Sequence, residues 1–191
     1  MSNSPLDTEL LDRAIEFAVR AHSGTERRGK GFPYIVHPME AMAIVATMSA
    51  DQELLAAAAL HDVVEDTGVS LEEIRSQFGD RVAMLVRTES DLKETGLDWL
   101  DRKRDSLQRI ATASRDEKIV ALGDKLSNMR AIARDYTRQG ESFWNMFRIK
   151  EKAVHAWRYH ALVDALSELR DTYAFQEFEY LVFKVFPVKP D

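Results

Sequence analysis

The run His61-Asp62-Val63-Val64-Glu65-Asp66 places one imidazole and three carboxylates within a few consecutive positions. The stretch before it, Leu54 to Leu60, is apolar and rich in alanine. The sequence therefore predicts one helix that crosses the core and ends in this polar turn. At about 100° per residue, the four polar side chains fan across roughly 140° of that helix end. Carboxylates crowded beside an imidazole repel one another once ionised, and become favourable when a divalent cation sits among them. A solvated acidic turn is the plainer alternative. Against it, acidic side chains at a helix C-terminus oppose the macrodipole by roughly 0.3–1 kcal/mol each. The expectation is a metal site that includes His61 and Asp62.

A cation needs more donors than these two. His37 follows the stiff segment Pro33-Tyr34-Ile35-Val36 and precedes Pro38. Proline is favoured in a first helical turn, so His37 should stand at the start of a helix, where a histidine is more often a cap or a surface residue. Asp124 follows the apolar run Ile119-Val120-Ala121-Leu122 on a helix that should be largely buried. A buried carboxylate without a partner costs several kcal/mol, so it calls for a cation or for a base such as Lys125 or Arg130. Asn128 lies one turn beyond Asp124, on the same face. Immediately before the Pro33 segment comes a glycine-rich loop carrying Arg27, Arg28 and Lys30. Alone, such a run is a solvated loop. Beside His37, it has the charge to neutralise a phosphate.

The elements that must hold these residues read as helical almost throughout. Leu10, Ala14, Phe17, Ala18 and Ala21 recur at helical spacing after a start signal at Ser4-Pro5. Met42, Ile44, Val45 and Met48 follow His37, while Ser70 with Glu73 and Ser114 with Glu117 form capping-box patterns. From about Glu141 to Phe186 two or three amphipathic helices are expected, the last presenting Phe175, Phe178, Leu181, Val182 and Val185. The reading is all-α: a single domain over 1–191, built as a bundle of about eight to ten helices. The formal charge of −6 over 191 residues disfavours nonspecific wrapping of nucleic acid. With no cysteine, disulfides and thiolate metal sites are excluded. The N-terminus lacks the pattern of a signal peptide, and no apolar run approaches the roughly 20 residues of a membrane span. A cytoplasmic protein is expected, with no nucleic acid or membrane partner and an oligomeric state left open.

Three segments together make the chain recognisable: AHSGTERRGKGFPYIVHP at 21–38, ALHDVVEDT at 59–67 and ALGDKLSNMR at 121–130. In this order they resemble the HD-domain metallohydrolases, and within them the hydrolase domain of the Rel/Spo alarmone enzymes and the small alarmone hydrolases. The resemblance implies an HD-type helical bundle with a metal held by His37, His61, Asp62 and Asp124, usually Mn²⁺. It implies that Glu65 and Asp66 carry the hydrolytic step, that Arg27 and Arg28 clamp the nucleotide, and that Asn128 positions it. The implied reaction is hydrolysis of a purine nucleotide 3′-pyrophosphate, with guanine and adenine both open, at the 3′ phosphoester with release of pyrophosphate. Because little chain follows the last motif, degradation rather than synthesis of the alarmone is expected. The chain departs from the family pattern at Arg28, where lysine is commoner, at Gly123, where alanine is usual, and at Ser127, where histidine often stands. The spacer from Gly29 to Phe32 is also one residue longer than in many relatives. None of these touches an implied ligand.

Other residues invite weaker expectations. Arg102 and Lys103 have the charge to meet distal phosphates, though a charged helix face explains them equally well. Lys150, Lys152, Trp157 and Tyr159 fall on a late helix that can wall a pocket; for the two aromatics, core packing is the expected role. His22 is expected to make a structural hydrogen bond, and His155 and His160 have no metal-like company. Two other functions compete: an HD-domain phosphohydrolase acting on NADPH or a mononucleotide, and a silent nucleotide-binding regulator. Intact Glu65 and Asp66 argue against the silent reading.

Overall fold

A computed structural model of the protein describes residues 6–89 and 98–189. Its elements are α1 (Glu9–Ala21), α2 (Val36–Val45), α3 (Gln52–Leu60), α4 (Val63–Asp66), α5 (Leu71–Phe78), α6 (Asp80–Glu89), α7 (Trp99–Thr112), α8 (Arg115–Gln139), α9 (Lys152–Ala165) and α10 (Tyr173–Val185), with 3-10 turns at Gly140–Met146 and Ser167–Leu169. Among the described residues there is no strand. An isolated bridge between Glu26 and Pro33 closes the loop after α1. The all-α expectation is met. The start signal at Ser4-Pro5 lies outside the described residues, and α1 begins at Glu9 with Glu9 and Asp12 in its first turn.

Local chemistry explains most boundaries. The Asp51 carboxylate accepts the Glu53 N–H at 2.9 Å and caps α3. Ser70 caps α5 through the Glu73 N–H at 3.1 Å, while at Ser114 and Glu117 both halves of the capping box close. Thr172 caps α10 in the same manner.

The structure corrects the sequence reading at its opening motif. The helix predicted to run through His61–Asp66 is broken. α3 stops at Leu60, His61 and Asp62 form a turn, and a new one-turn helix α4 carries Val63 to Asp66. His61 is drawn back by a bond from its Nδ1–H to the Ala58 carbonyl at 2.8 Å, and Val63 is anchored in the core with no exposure. Glu65 and Asp66 thus close the single turn of α4, too short to carry much macrodipole, rather than the end of α3. The argument from an opposed macrodipole no longer applies to them. What they gain is position beside His61 and Asp62.

Two helices organise the core. In α3 the side chains from Ala56 to Leu60 are all buried, and their small size lets α1, α2, α6 and α8 pack around it. At 25 residues, α8 is about 37 Å long and is buried along most of its length from Lys118 to Ala133. It packs chiefly against α2 and α10. Gly123 is where α8 meets α2: a Cβ there would fall 2.7 Å from Val45 Cγ2 and 2.8 Å from the Ala41 carbonyl oxygen. The missing side chain lets the helices touch at this point. The next residue, Asp124, comes down beside His37 as a result.

Candidate metal centre

Four of the residues singled out in the sequence converge. His37 enters from the first turn of α2, His61 and Asp62 from the turn between α3 and α4, and Asp124 from the middle of α8. The Nε2 atoms of the two imidazoles stand 3.3 Å apart. Asp62 Oδ2 lies 3.3 Å from His37 Nε2 and 3.0 Å from His61 Nε2. Asp124 Oδ1 lies 3.1 Å and 3.6 Å from the same two atoms. His37, His61 and Asp62 form a compact donor triple with ligand atoms within 4.8 Å of one another, and Asp124 adjoins it.

Hydrogen bonding fixes which ring nitrogen faces inward. His61 spends its Nδ1–H on the Ala58 carbonyl, leaving the Nε2 lone pair toward the cluster. His37 Nδ1 is 2.8 Å from Ser127 Oγ, which likewise turns its Nε2 inward. Two lone pairs and two carboxylates aimed at one point are a costly arrangement unless positive charge lies among them. The electrostatics say the same. Burial works against a charged His61, yet Asp62 and Asp124 outweigh it and raise its pKa well above the ordinary imidazole value. Burial would raise Asp62, but His61 and His37 hold it well below the usual carboxylate range. The donor set, two nitrogens and two carboxylate oxygens without sulfur, fits a divalent cation of hard to borderline character.

Each donor is held in turn. Tyr34 donates its hydroxyl to Asp62 Oδ2 at 2.6 Å. Burial and that carboxylate push the Tyr34 pKa upward, so it remains a proton donor. Lys125 bonds Asp124 Oδ2 at 2.5 Å and Glu89 Oε2 at 2.9 Å, so the base considered for Asp124 in the sequence is indeed at hand. Burial disfavours the Lys125 charge, but Asp124 and Glu89 more than restore it. Asn128 donates to Asp124 Oδ1 and accepts from Arg27 Nη2 at 2.6 Å. Arg27 also lies over the Tyr34 ring, 5.1 Å from its centroid. The loop that delivers Arg27 is a tight hairpin: Arg27 N bonds Phe32 O at 2.9 Å, and Tyr34 N bonds Thr25 O at 2.8 Å. Gly29 and Gly31, at φ 68° and 70°, make the reversal.

Above the four donors opens a cavity of about 340 Å³. Glu65, Asp66, Arg27, Arg28, Lys30 and Asn128 all border it, as do Lys103 and Tyr159. Lys30 is tied to Asp135, so it is partly neutralised. Arg102, Lys150 and Trp157 are not among the lining residues. Lys152 instead binds Tyr136 and Glu141, and Trp157 borders a separate groove between α7 and α9. His155 and His160 bond the Ile149 and Phe186 carbonyls, as a structural role requires. His22 corrects the expectation of a structural hydrogen bond: it is buried with neither ring nitrogen hydrogen-bonded and packs against the Tyr34 ring, tilted by 32° with centroids 4.9 Å apart. Sequence reasoning passed over Tyr34, Glu89, Arg158 and Phe143, which also line the cavity. Tyr34 sits three residues before His37, inside the segment already singled out for its stiffness. The other three carry no local signal.

The chain is similar to several known proteins. A guanosine-3′,5′-bis(diphosphate) 3′-pyrophosphohydrolase of Aquifex aeolicus is 33% identical over 135 residues, covering 69% of this chain and 19% of that protein. A GTP pyrophosphokinase of Brucella ovis is 36% identical over 129 residues, 64% of this chain and 17% of that protein. The chain thus spans under a fifth of the length of these curated relatives. Among solved structures, a metazoan ortholog of SpoT that hydrolyzes ppGpp superposes with a TM-score of 0.76 at 24% identity, covering 95% of this chain and 97% of that one. A Listeria monocytogenes protein superposes with a TM-score of 0.71 at 28% identity, covering 80% and 99%. The HD domain model matches residues 14–149, a span holding all four converging donors, and the chain belongs to the HD domain family.

Proposed function

We propose that this chain is a divalent-metal-dependent hydrolase of purine nucleotide 3′-pyrophosphates, cleaving the 3′ phosphoester and releasing pyrophosphate as one unit. The observation that carries the reading is the meeting of two imidazole nitrogens and two carboxylates beneath a cavity bordered by Arg27, Arg28 and Lys103. The activity named for the Aquifex relative supports the reaction class. His37, His61, Asp62 and Asp124 are the proposed metal ligands, and their mixed nitrogen and oxygen character suits Mn²⁺. A cation bound there supplies Lewis-acid polarisation of a phosphoryl oxygen and a water acidic enough to attack near neutral pH.

The remaining work falls to side chains. Glu65, half-buried at the cavity edge beside Asp62, accepts a proton from the attacking water. As the new O–P bond forms and the bond to the 3′ oxygen breaks, that proton passes to the 3′ oxygen, leaving a 3′-hydroxyl and pyrophosphate. Asp66 orients the water. Such a positioned acid–base group contributes typically about 10²–10⁴ in rate. Arg27, braced by Asn128 and stacked on Tyr34, offers a flat cation for the base or a phosphate, and exposed Arg28 meets phosphate at the rim. We read residues 1–191 as one domain of this type, because a single buried core draws on residues from Ala14 to Phe186. Among the described residues no helix is long and apolar enough to cross a membrane, and we assign the reaction to the cytoplasm, where nucleotides of this charge are confined. Neither nucleic acid nor membrane is expected as a partner.

The test is a panel of guanosine and adenosine 3′-pyrophosphates, NADPH and mononucleotides, incubated with Mn²⁺-loaded and chelator-stripped protein and separated by chromatography. Turnover of a 3′-pyrophosphate by the loaded protein alone is the expected result. Phosphate release from NADPH, with the 3′-pyrophosphates untouched, would overturn the assignment.

A further inference from the structure

His61 and His37 present the same nitrogen to the cluster, but by different means. His61 uses a backbone carbonyl three residues away in its own chain segment. His37 has no such carbonyl and depends on side chains. Its Nδ1 lies 2.8 Å from Ser127 Oγ, and Ser127 Oγ lies 2.8 Å from Glu40 Oε2. A carboxylate can only accept, so the Ser127 hydroxyl must donate to Glu40. Its oxygen is then left as the acceptor for the His37 Nδ1–H. The direction of the whole relay follows from its last member. His37 and Ser127 are 4% and 1% exposed, so no solvent competes for the bond between them, while Glu40 at the outer end of the relay is partly exposed.

Glu40 is itself anchored. Its other oxygen accepts from Arg130 Nη1 at 3.2 Å, and Arg130 grips Glu177 of α10 at 2.7 and 2.6 Å. The inward-facing imidazole of α2 is therefore set by α8 and, at one remove, by the last helix of the chain. Ser127 is one of the positions where the chain departs from the family pattern, and Glu40 lies one turn beyond His37 on α2.

We propose that Ser127 and Glu40 are positioning residues that fix the tautomer and ring orientation of His37 for metal binding, acting as a carboxylate–hydroxyl–imidazole relay. Partners of this kind are worth about 10–100-fold in metal affinity. The proposal rests on the metal reading above but not on which phosphoester is cleaved. Failure of the nucleotide assignment appears in product analysis, whereas this relay is read from binding of the metal alone.

The experiment titrates chelator-stripped protein with Mn²⁺, following free ion by electron paramagnetic resonance, for the parent, Ser127→Ala, Glu40→Ala, Glu40→Gln and the Ser127→Ala/Glu40→Ala double variant. Ser127→Ala should bind Mn²⁺ about 10–100-fold more weakly. Glu40→Ala should weaken binding by a smaller factor, and Glu40→Gln, whose amide oxygen still accepts from Ser127, should recover most of it. The double variant should be no weaker than Ser127→Ala, since Glu40 acts only through the hydroxyl. In Zn²⁺-loaded protein the His37 Nδ1–H proton resonance should shift in Ser127→Ala, a readout that mere loss of stability does not produce. Affinity within twofold of the parent in Ser127→Ala would overturn the proposal. So would an equal effect of Glu40→Ala with and without Ser127.

Discussion

At the scale of single residues, the site is a problem of charge held in a small volume. Two imidazole nitrogens 3.3 Å apart and two carboxylates at 3.0–3.6 Å make a concentration of lone pairs that a cation resolves. The account predicts that Asp124→Asn, which keeps the shape of the side chain, loses most bound metal by elemental analysis after desalting. Full metal content in that variant would remove Asp124 from the ligand set. Glu65 is assigned a different part. Glu65→Gln should retain its metal while kcat falls by about 10² or more. Loss of metal would make Glu65 a ligand, and near-normal turnover would shift the role to Asp66. Much of this was legible beforehand, because His37, His61, Asp62 and Asp124 are donor types in unusual surroundings. Tyr34, Ser127 and Glu40 were not. Their importance lies in contacts such as Ser127 to His37 and Ser127 to Glu40, between residues far apart in the chain, which no periodicity records.

At the scale of elements, the decisive features are a break and a close approach. The alanine run of α3 favours helix strongly, and the weaker helix formers His61, Asp62, Val63 and Val64 after it do not by themselves mark where the turn falls. Tertiary demands impose it, through buried Val63 and the backward bond of His61 to Ala58. The contact of α8 with α2 at Gly123 is equally invisible to pattern reading, although the position stood out as a departure from the family. Gly123→Ala should destabilise by about 1–3 kcal/mol through overpacking against the Ala41 backbone, despite a gain of about 1 kcal/mol in helix propensity. Urea denaturation measures it, and a more stable variant would contradict the packing argument. Arg81 ties three elements together, binding Asp51 at 2.8 Å, Glu53 at 2.5 Å and Asp116 at 2.8 Å. Slight burial opposes it, but the Arg81 bond lowers the Asp51 pKa below its ordinary 3.8. A depressed carboxylate stabilises the fold above its unfolded value and loses that contribution as pH falls through the folded one. The melting temperature should therefore drop as pH falls below about 4, less steeply in Arg81→Met, and the difference should shrink in high salt.

At the scale of the whole molecule, a net charge of −6 coexists with a cavity bordered by arginine and lysine. Composition disfavours nonspecific wrapping of nucleic acid but does not reveal this local gathering of cations, which arises because the loop after α1, α7 and α9 each bring a cation to one opening that carboxylates also line. Because three separate segments meet at the donors, metal binding should stabilise the whole fold. At a metal concentration 100-fold above Kd the gain is about 2.7 kcal/mol. Chelation should lower the melting temperature of the parent and leave that of His37→Ala unchanged.

The central claim is tested most directly by the products formed from a guanosine 3′,5′-bis(diphosphate) under Mn²⁺. The account predicts one pyrophosphate per nucleotide consumed, a free 3′-hydroxyl and intact 5′ phosphates from the first time point. Stepwise appearance of inorganic phosphate from the 3′ end, or attack on the 5′ phosphates, would contradict it.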